Sequence, residues 1–237
     1  MKNTVAERIQ SMKNDYTFGV EVEMNNITRK NASRLASEFF GTGRYEDTAY
    51  RNSYRTWSAF DADGREWKFS RDASIQGPDE EKCEMVTPIL TWDDIPTLQE
   101  LLRRLRKAGA VSNPSVGAGV HIHVARKGGF TVQEVKNLVN IMAAHESQIG
   151  RAIKISQNRV SQYCRTVNPD FLNLMHAKNP TTMAEFEDCC TRETTQTTAE
   201  ISITTAVDIL VAIFIAFSTA ITQSSFVYSN SPTHTMA

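Results

Sequence analysis

The sequence predicts an α+β protein, an antiparallel sheet with helices packed on one face, on three observations. Phe18–Met24 and Val120–Val124 alternate apolar and polar residues strictly, the signature of strands with one buried face. Several other stretches space their apolar residues at helical intervals. Strand-like and helix-like stretches then follow one another without the βαβ regularity of a parallel sheet.

In chain order, residues 4 to 13 suit a short helix, and the first strand runs from Phe18 to Met24. Thr28 opens a helix whose Ala32, Leu35, Ala36, Phe39 and Phe40 share a face, with Gly41 as its stop; it is expected to cover the apolar side of strand 18–24. Residues 42 to 64 read as polar, aromatic and turn-rich. They end in Asp61-Ala62-Asp63-Gly64, a hairpin signal that lacks the further ligand positions of a calcium loop. A second strand follows over Glu66–Arg71, Asp72 to Ser74 turns the chain, and a third strand spans Lys82–Leu90, broken near its end by Pro88. Leu98, Leu101, Leu102 and Leu105 mark an amphipathic helix ending at Gly109. Thr131-x-x-Glu134 is a capping box ahead of Val132, Val135, Leu138, Val139 and Met142. Arg151 to Met175 mixes helix and loop.

Composition excludes several classes. With 26 basic and 27 acidic residues, a net charge of −1 supplies no field for nucleic acid or an anionic membrane, so neither partner is expected. The basic run Leu101–Lys107 places its charges between leucines at helical spacing, the pattern of a solvated helix face. Cys83, Cys164, Cys189 and Cys190 show neither a C-x-x-C pair nor framework spacing. Together with an N-terminus lacking an apolar h-region, they predict a cytoplasmic protein with reduced thiols. The longest apolar run, Ile209 to Ile221, falls short of the roughly 20 residues that span a bilayer.

The chemistry concentrates on the strands. Alternation puts Phe18, Val20, Val22 and Met24 on one face of the first strand and Gly19, Glu21 and Glu23 on the other. Two carboxylates side by side raise each other's energy unless a cation or proton relieves them, so this face is either a metal site or a water-facing edge. His121 and His123 likewise share a face, as a metal or phosphate pair or as two part-exposed strand histidines. Arg126-Lys127-Gly128-Gly129 is a basic turn that can approach phosphate or simply face water.

F-G-V-E-V-E-M at 18–24, W-K-F-S-R-D-A-S-I at 67–75, C-E-M-V-T-P-I at 83–89, G-V-H-I-H-V at 119–124 and R-V-S-Q-Y-C at 159–164 resemble, in that order, the amidoligase family, over residues 16 to 188. That family is similar in turn to glutamine synthetase and γ-glutamylcysteine synthetase. The resemblance implies a curved antiparallel sheet forming a glutamine-synthetase-like funnel with helices on its outer face. It further implies an ATP- and Mg²⁺-dependent ligase that joins a small-molecule or peptide carboxylate to an amine through an acyl phosphate. By the same resemblance, Glu21, Glu23 and Glu84 are carboxylate ligands of Mg²⁺, the two first-strand glutamates being catalytic as well. His121 is a further ligand and His123 a contact to ATP phosphate. Arg159 binds phosphate or substrate carboxylate, or is a surface arginine, and Arg126 and Lys127 are candidate nucleotide contacts. A metal-dependent hydrolase using the same Glu/His set and a non-catalytic mobile-element protein are the competing readings.

Past residue 188 the family continues into S-R-Y, N-L-H-S and V-E-F-R elements, whereas residues 189–237 form an atypical, largely apolar tail without them. Codons can be chosen for Thr205–Ile209, Ala212–Ala216 and Gln223–Tyr228 that give S-S-R-Y, N-L-H-S and V-E-F-R-L in another frame. The tail is therefore read as a frame-shift product, and the chain is expected to bind metal weakly and turn over poorly. The nucleotide sequence from about codon 185 checks this.

Overall fold

A computed structural model of the chain describes residues 4–155, 160 and 166–194. The apolar run at 209–221, Arg159, Cys164 and the tail from residue 195 onward lie outside the described residues. The chain divides into two compact units between Gly129 and Phe130.

The first unit is built on a mixed arrangement of helix and antiparallel sheet. Its elements are α1 (Val5–Asp15), β1 (Tyr16–Met24), α2 (Arg29–Phe39), β2 (Tyr45–Asp47), β3 (Trp57–Phe60), β4 (Glu66–Ser70), β5 (Cys83–Val86), α3 (Ile95–Lys107) and β6 (Val120–Arg126). The six strands form one open sheet in the order β2-β3-β4-β5-β1-β6, with every neighbouring pair antiparallel. The alternation of β1 works as expected: Phe18, Val20, Val22 and Met24 are buried, and they share the core with Trp67 and Phe69 of β4 and Cys83 and Met85 of β5.

α2 begins where the sequence placed it, with the Thr28 side chain accepting a hydrogen bond from the Asn31 amide, and Gly41 leaves it at φ +72°. It lies against β2, β3 and β4 rather than over β1, presenting buried Ala32 and Ala36 to the sheet. Phe40, just past its end, stacks on Trp67 with ring centroids 5.0 Å apart. The reason is the pair of strands concealed in residues 42–64. At three and four residues, β2 and β3 are too short to register as alternation, yet they widen the sheet on that side and give α2 its seat.

The Asp61–Gly64 turn joins β3 to β4. Asp61 is buried there, accepting from the Trp67 indole at 3.0 Å and from Arg65 at 2.8 Å, while Arg65 forks onto Asp94 at 2.8 and 3.0 Å. The aspartate oxygens are thus engaged in closing the hairpin onto the start of α3. In α3 itself Leu98, Leu101 and Leu105 are buried, while Arg103 and Arg104 pair with Glu100 on the exposed side.

β5 is shorter than its sequence pattern. Regular pairing to β1 stops at Val86, Thr87 still exchanges bonds with Val20, and the ladder resumes where Leu90 exchanges both backbone bonds with Phe18. Two residues, Pro88 and Ile89, therefore stand opposite Gly19 alone: a β-bulge, as proline in a strand demands.

The second unit contains α4 (Val132–Ala152), α5 (Pro169–Lys178) and α6 (Met183–Thr194). The Thr131–Glu134 capping box is formed in both directions. Val135 and Val139 of α4 pack with Phe171, Met175, Phe186, Cys189 and Cys190, and Phe171 meets Phe186 edge-on with centroids 5.8 Å apart. Cys83, Cys189 and Cys190 are free and buried. No helix among the described residues is long and apolar enough to cross a membrane.

Candidate active site

β1 runs between β5 and β6, and its register decides which side chains meet. Glu23 stands opposite Glu84 on one side, while Glu21 stands opposite His121 and Gly19 opposite His123 on the other. Directly opposed residues project to the same face with Cβ atoms about 5 Å apart. Three strands consequently deliver three carboxylates and two imidazoles to the sheet face opposite the core.

The distances follow from that register. His121 Nδ1 lies 3.7 Å from Glu21 Oε2, and its Nε2 3.8 Å from Glu23 Oε1; His123 Nε2 lies 3.3 Å from Glu21 Oε1. Glu23 is the buried member at 5% exposure, and the Gly119 amide donates to its Oε2 at 2.6 Å while the Gly119 carbonyl accepts from the Glu23 amide. The glycine before the H-x-H pair thus fixes the carboxylate beside it.

A fourth carboxylate joins from a turn. Asp72, two residues beyond β4, approaches Glu23 and Glu84 so that one oxygen from each of the three lies within 4.8 Å of the others. Its position is held by the turn itself, the Ser74 amide donating to Asp72 Oδ1 at 2.6 Å. The wider loop is pinned at Asp79, which accepts from Arg71 at 2.6 Å and Arg55 at 2.9 Å. Arg29, buried beneath, donates to the carbonyls of Arg55, Asp79 and Lys82. Gly117 seals the arrangement: at φ +76°, a Cβ there would sit 2.8 Å from the Ser74 carbonyl oxygen, so only glycine lets the approach to β6 lie against this turn.

Crowding of acid groups has an electrostatic cost, borne most visibly by Glu84. Burial first, then the charges of Glu21, Asp72 and Glu23, push its carboxyl up to about 7, with His123 pulling the other way. The donor set is what a hard divalent cation takes: several carboxylate oxygens.

Of the residues singled out from sequence, Glu21, Glu23, Glu84, His121 and His123 come together. Arg126 falls on the opposite side of β6, sharing the parity of Ile122 and Val124, and its guanidinium lies over the Tyr16 ring. Lys127 begins the turn after β6, its amide donating to the Asp15 carbonyl. Asp72 is not legible as a site residue from alternation, which says nothing about a turn. Its one signal was its place inside W-K-F-S-R-D-A-S-I.

Residues 14–212 match the model of a family described as "putative amidoligase enzyme". No curated protein and no solved structure matches the chain.

Proposed function

Because the chain belongs to the amidoligase family, we propose that it is an ATP- and Mg²⁺-dependent ligase that joins a carboxylate to an amine, its polar sheet face forming the inner wall of a funnel and its turnover lowered by the absence of the S-R-Y, N-L-H-S and V-E-F-R elements from its tail. The observation that carries this reading is the convergence of Glu23, Asp72 and Glu84 beside Glu21 and His121. Glu23, Asp72 and Glu84 would hold the metal, which supplies charge neutralisation for phosphoryl transfer. The acid is activated as its acyl phosphate, and the amine then attacks the acyl carbon and releases phosphate.

The protein's own groups serve the remaining needs. Glu23 is oriented by the Gly119 amide before any ligand arrives, so little reorganisation is required of it. Glu21 lies within reach of both imidazoles, and this carboxylate–imidazole set offers a proton acceptor for the attacking amine.

The test is product formation from a panel of carboxylic acids and amines with ATP and Mg²⁺. ADP release that requires both an acid and an amine, with hydroxylamine trapping the activated acid as a hydroxamate, supports the ligase. Glu23→Gln should lower the rate at least 100-fold, in line with losing a preorganised electrostatic group. Hydrolysis of amides in the absence of ATP would instead favour a metal-dependent hydrolase.

A further inference from the structure

Next to the acidic cluster the same sheet face carries a depression of about 220 Å³, lined in part by Thr17, Gly19, Pro88, Ile89, His123 and Ala125. Its origin lies in the backbone. On β1 and β6 the residues of this face that flank the depression are Thr17, Gly19, His123 and Ala125, and two of the four have almost no side chain. On the other flank the bulge lifts Pro88 and Ile89 away from Gly19, and Ile89 stands 75% exposed as an outer wall. Gly19 therefore forms an open floor between Ile89 and the imidazole of His123.

We infer that this depression is a specificity pocket that receives the apolar side chain of the carboxylate substrate, of isobutyl to phenyl size; the inference rests on the ligase reading of the neighbouring cluster. Three features argue for that occupant. The pocket shares a wall with the site, because His123 lines it and its Nε2 lies 3.3 Å from Glu21, so a group held there is attached to whatever reacts beside Glu21 and His121. Its volume moderately exceeds the roughly 150 Å³ cavity that accommodates benzene. Its lining offers proline, isoleucine, alanine and glycine surfaces, while the Thr87 hydroxyl at its edge already accepts from the Val20 amide. Apart from His123 on the wall shared with the site, the lining offers a charged substituent no counter-ion, whereas an apolar one gains by leaving water.

Gly19 is the natural place to test this. Its φ is not positive, and a Cβ there meets only the Thr87 hydroxyl oxygen, at 4.0 Å, so side chains fit without backbone strain. Gly19→Val should fold and fill the floor, since β-branched residues suit a strand. Binding of acetate, isovalerate and phenylacetate to the full chain is measured by ligand-observed NMR with Mg²⁺ present, without turnover. The expected result is that the wild type prefers isovalerate and phenylacetate over acetate about tenfold, and that Gly19→Val removes the preference while leaving acetate unchanged. Ile89→Ala, an exposed truncation that should not disturb folding, should weaken phenylacetate about threefold. Equal affinity for all three acids in the wild type, or a preference that survives Gly19→Val, overturns the inference. A preference for the apolar acids lost in Gly19→Val, but no ADP release with any pair of substrates, would keep the pocket and remove the ligase reading. If Gly19→Val instead weakens ATP and spares the acids, the pocket holds the nucleobase and the inference is wrong.

Discussion

Cys83 and Glu84 are consecutive, face opposite sides of β5, and both hold their protons beyond the usual range, burial being the largest cause in each. Burial, with Arg29 pulling the other way and the Glu84 charge adding to it, pushes the Cys83 thiol up to about 12 inside the core, while Glu84 reaches about 7 through burial and three neighbouring carboxylates. The linkage for Glu84 has a definite sign. Between its ordinary value of 4.5 and about 7, the folded chain keeps a proton that the unfolded chain has released. Stability from this group is complete below pH 4.5 and is lost as pH rises through 7. With a chelator present, Glu84→Gln should therefore melt above the wild type at pH 8, and the gap should narrow towards pH 5. A gap independent of pH would mean that the acidic cluster imposes no such cost.

At the scale of elements, the sheet face is positioned by pieces of backbone that the side-chain pattern does not announce. Alternation in 18–24 and 120–124 reveals which residues share a face, because that depends only on local period. It does not reveal that Glu23 meets Glu84 or that Glu21 meets His121, because register is set by distant turns, including the bulge at Pro88 and Ile89. β2 and β3 escape the sequence for a related reason: strands of three and four residues are stabilised by their neighbours rather than by their own pattern. Asp72 is the site residue this logic reaches last, since a turn carries no period at all. Its loop depends on Arg29, which supplies donors to three otherwise separate carbonyls. Arg29→Ala should cost about 3 kcal/mol in chemical denaturation by leaving them without that donor. It should also loosen metal binding through Asp72, while Arg103→Ala on the exposed side of α3 should change neither.

For the molecule as a whole, the proposed metal site predicts that cation binding at the cluster and folding are linked. Magnesium at about ten times its dissociation constant should add about 1.4 kcal/mol, or a few degrees in Tm, because the unfolded chain does not assemble the carboxylates. The double variant Glu23→Gln/Glu84→Gln should lose that increment while retaining the second unit's apolar cluster around Phe171 and Phe186. An identical magnesium response in the double variant would remove the cluster as the binding place.

The position of β1 has one more implication. It hydrogen-bonds β5 along one edge and β6 along the other, so the site exists only when two independent ladders are both correctly aligned. Sliding β6 by a single residue would turn both imidazoles towards the core and bring Ile122 out beside the carboxylates. The chemistry proposed for this face is accordingly an all-or-nothing property of the assembled sheet: a misaligned chain would lose the convergence of carboxylates and imidazoles as well as stability.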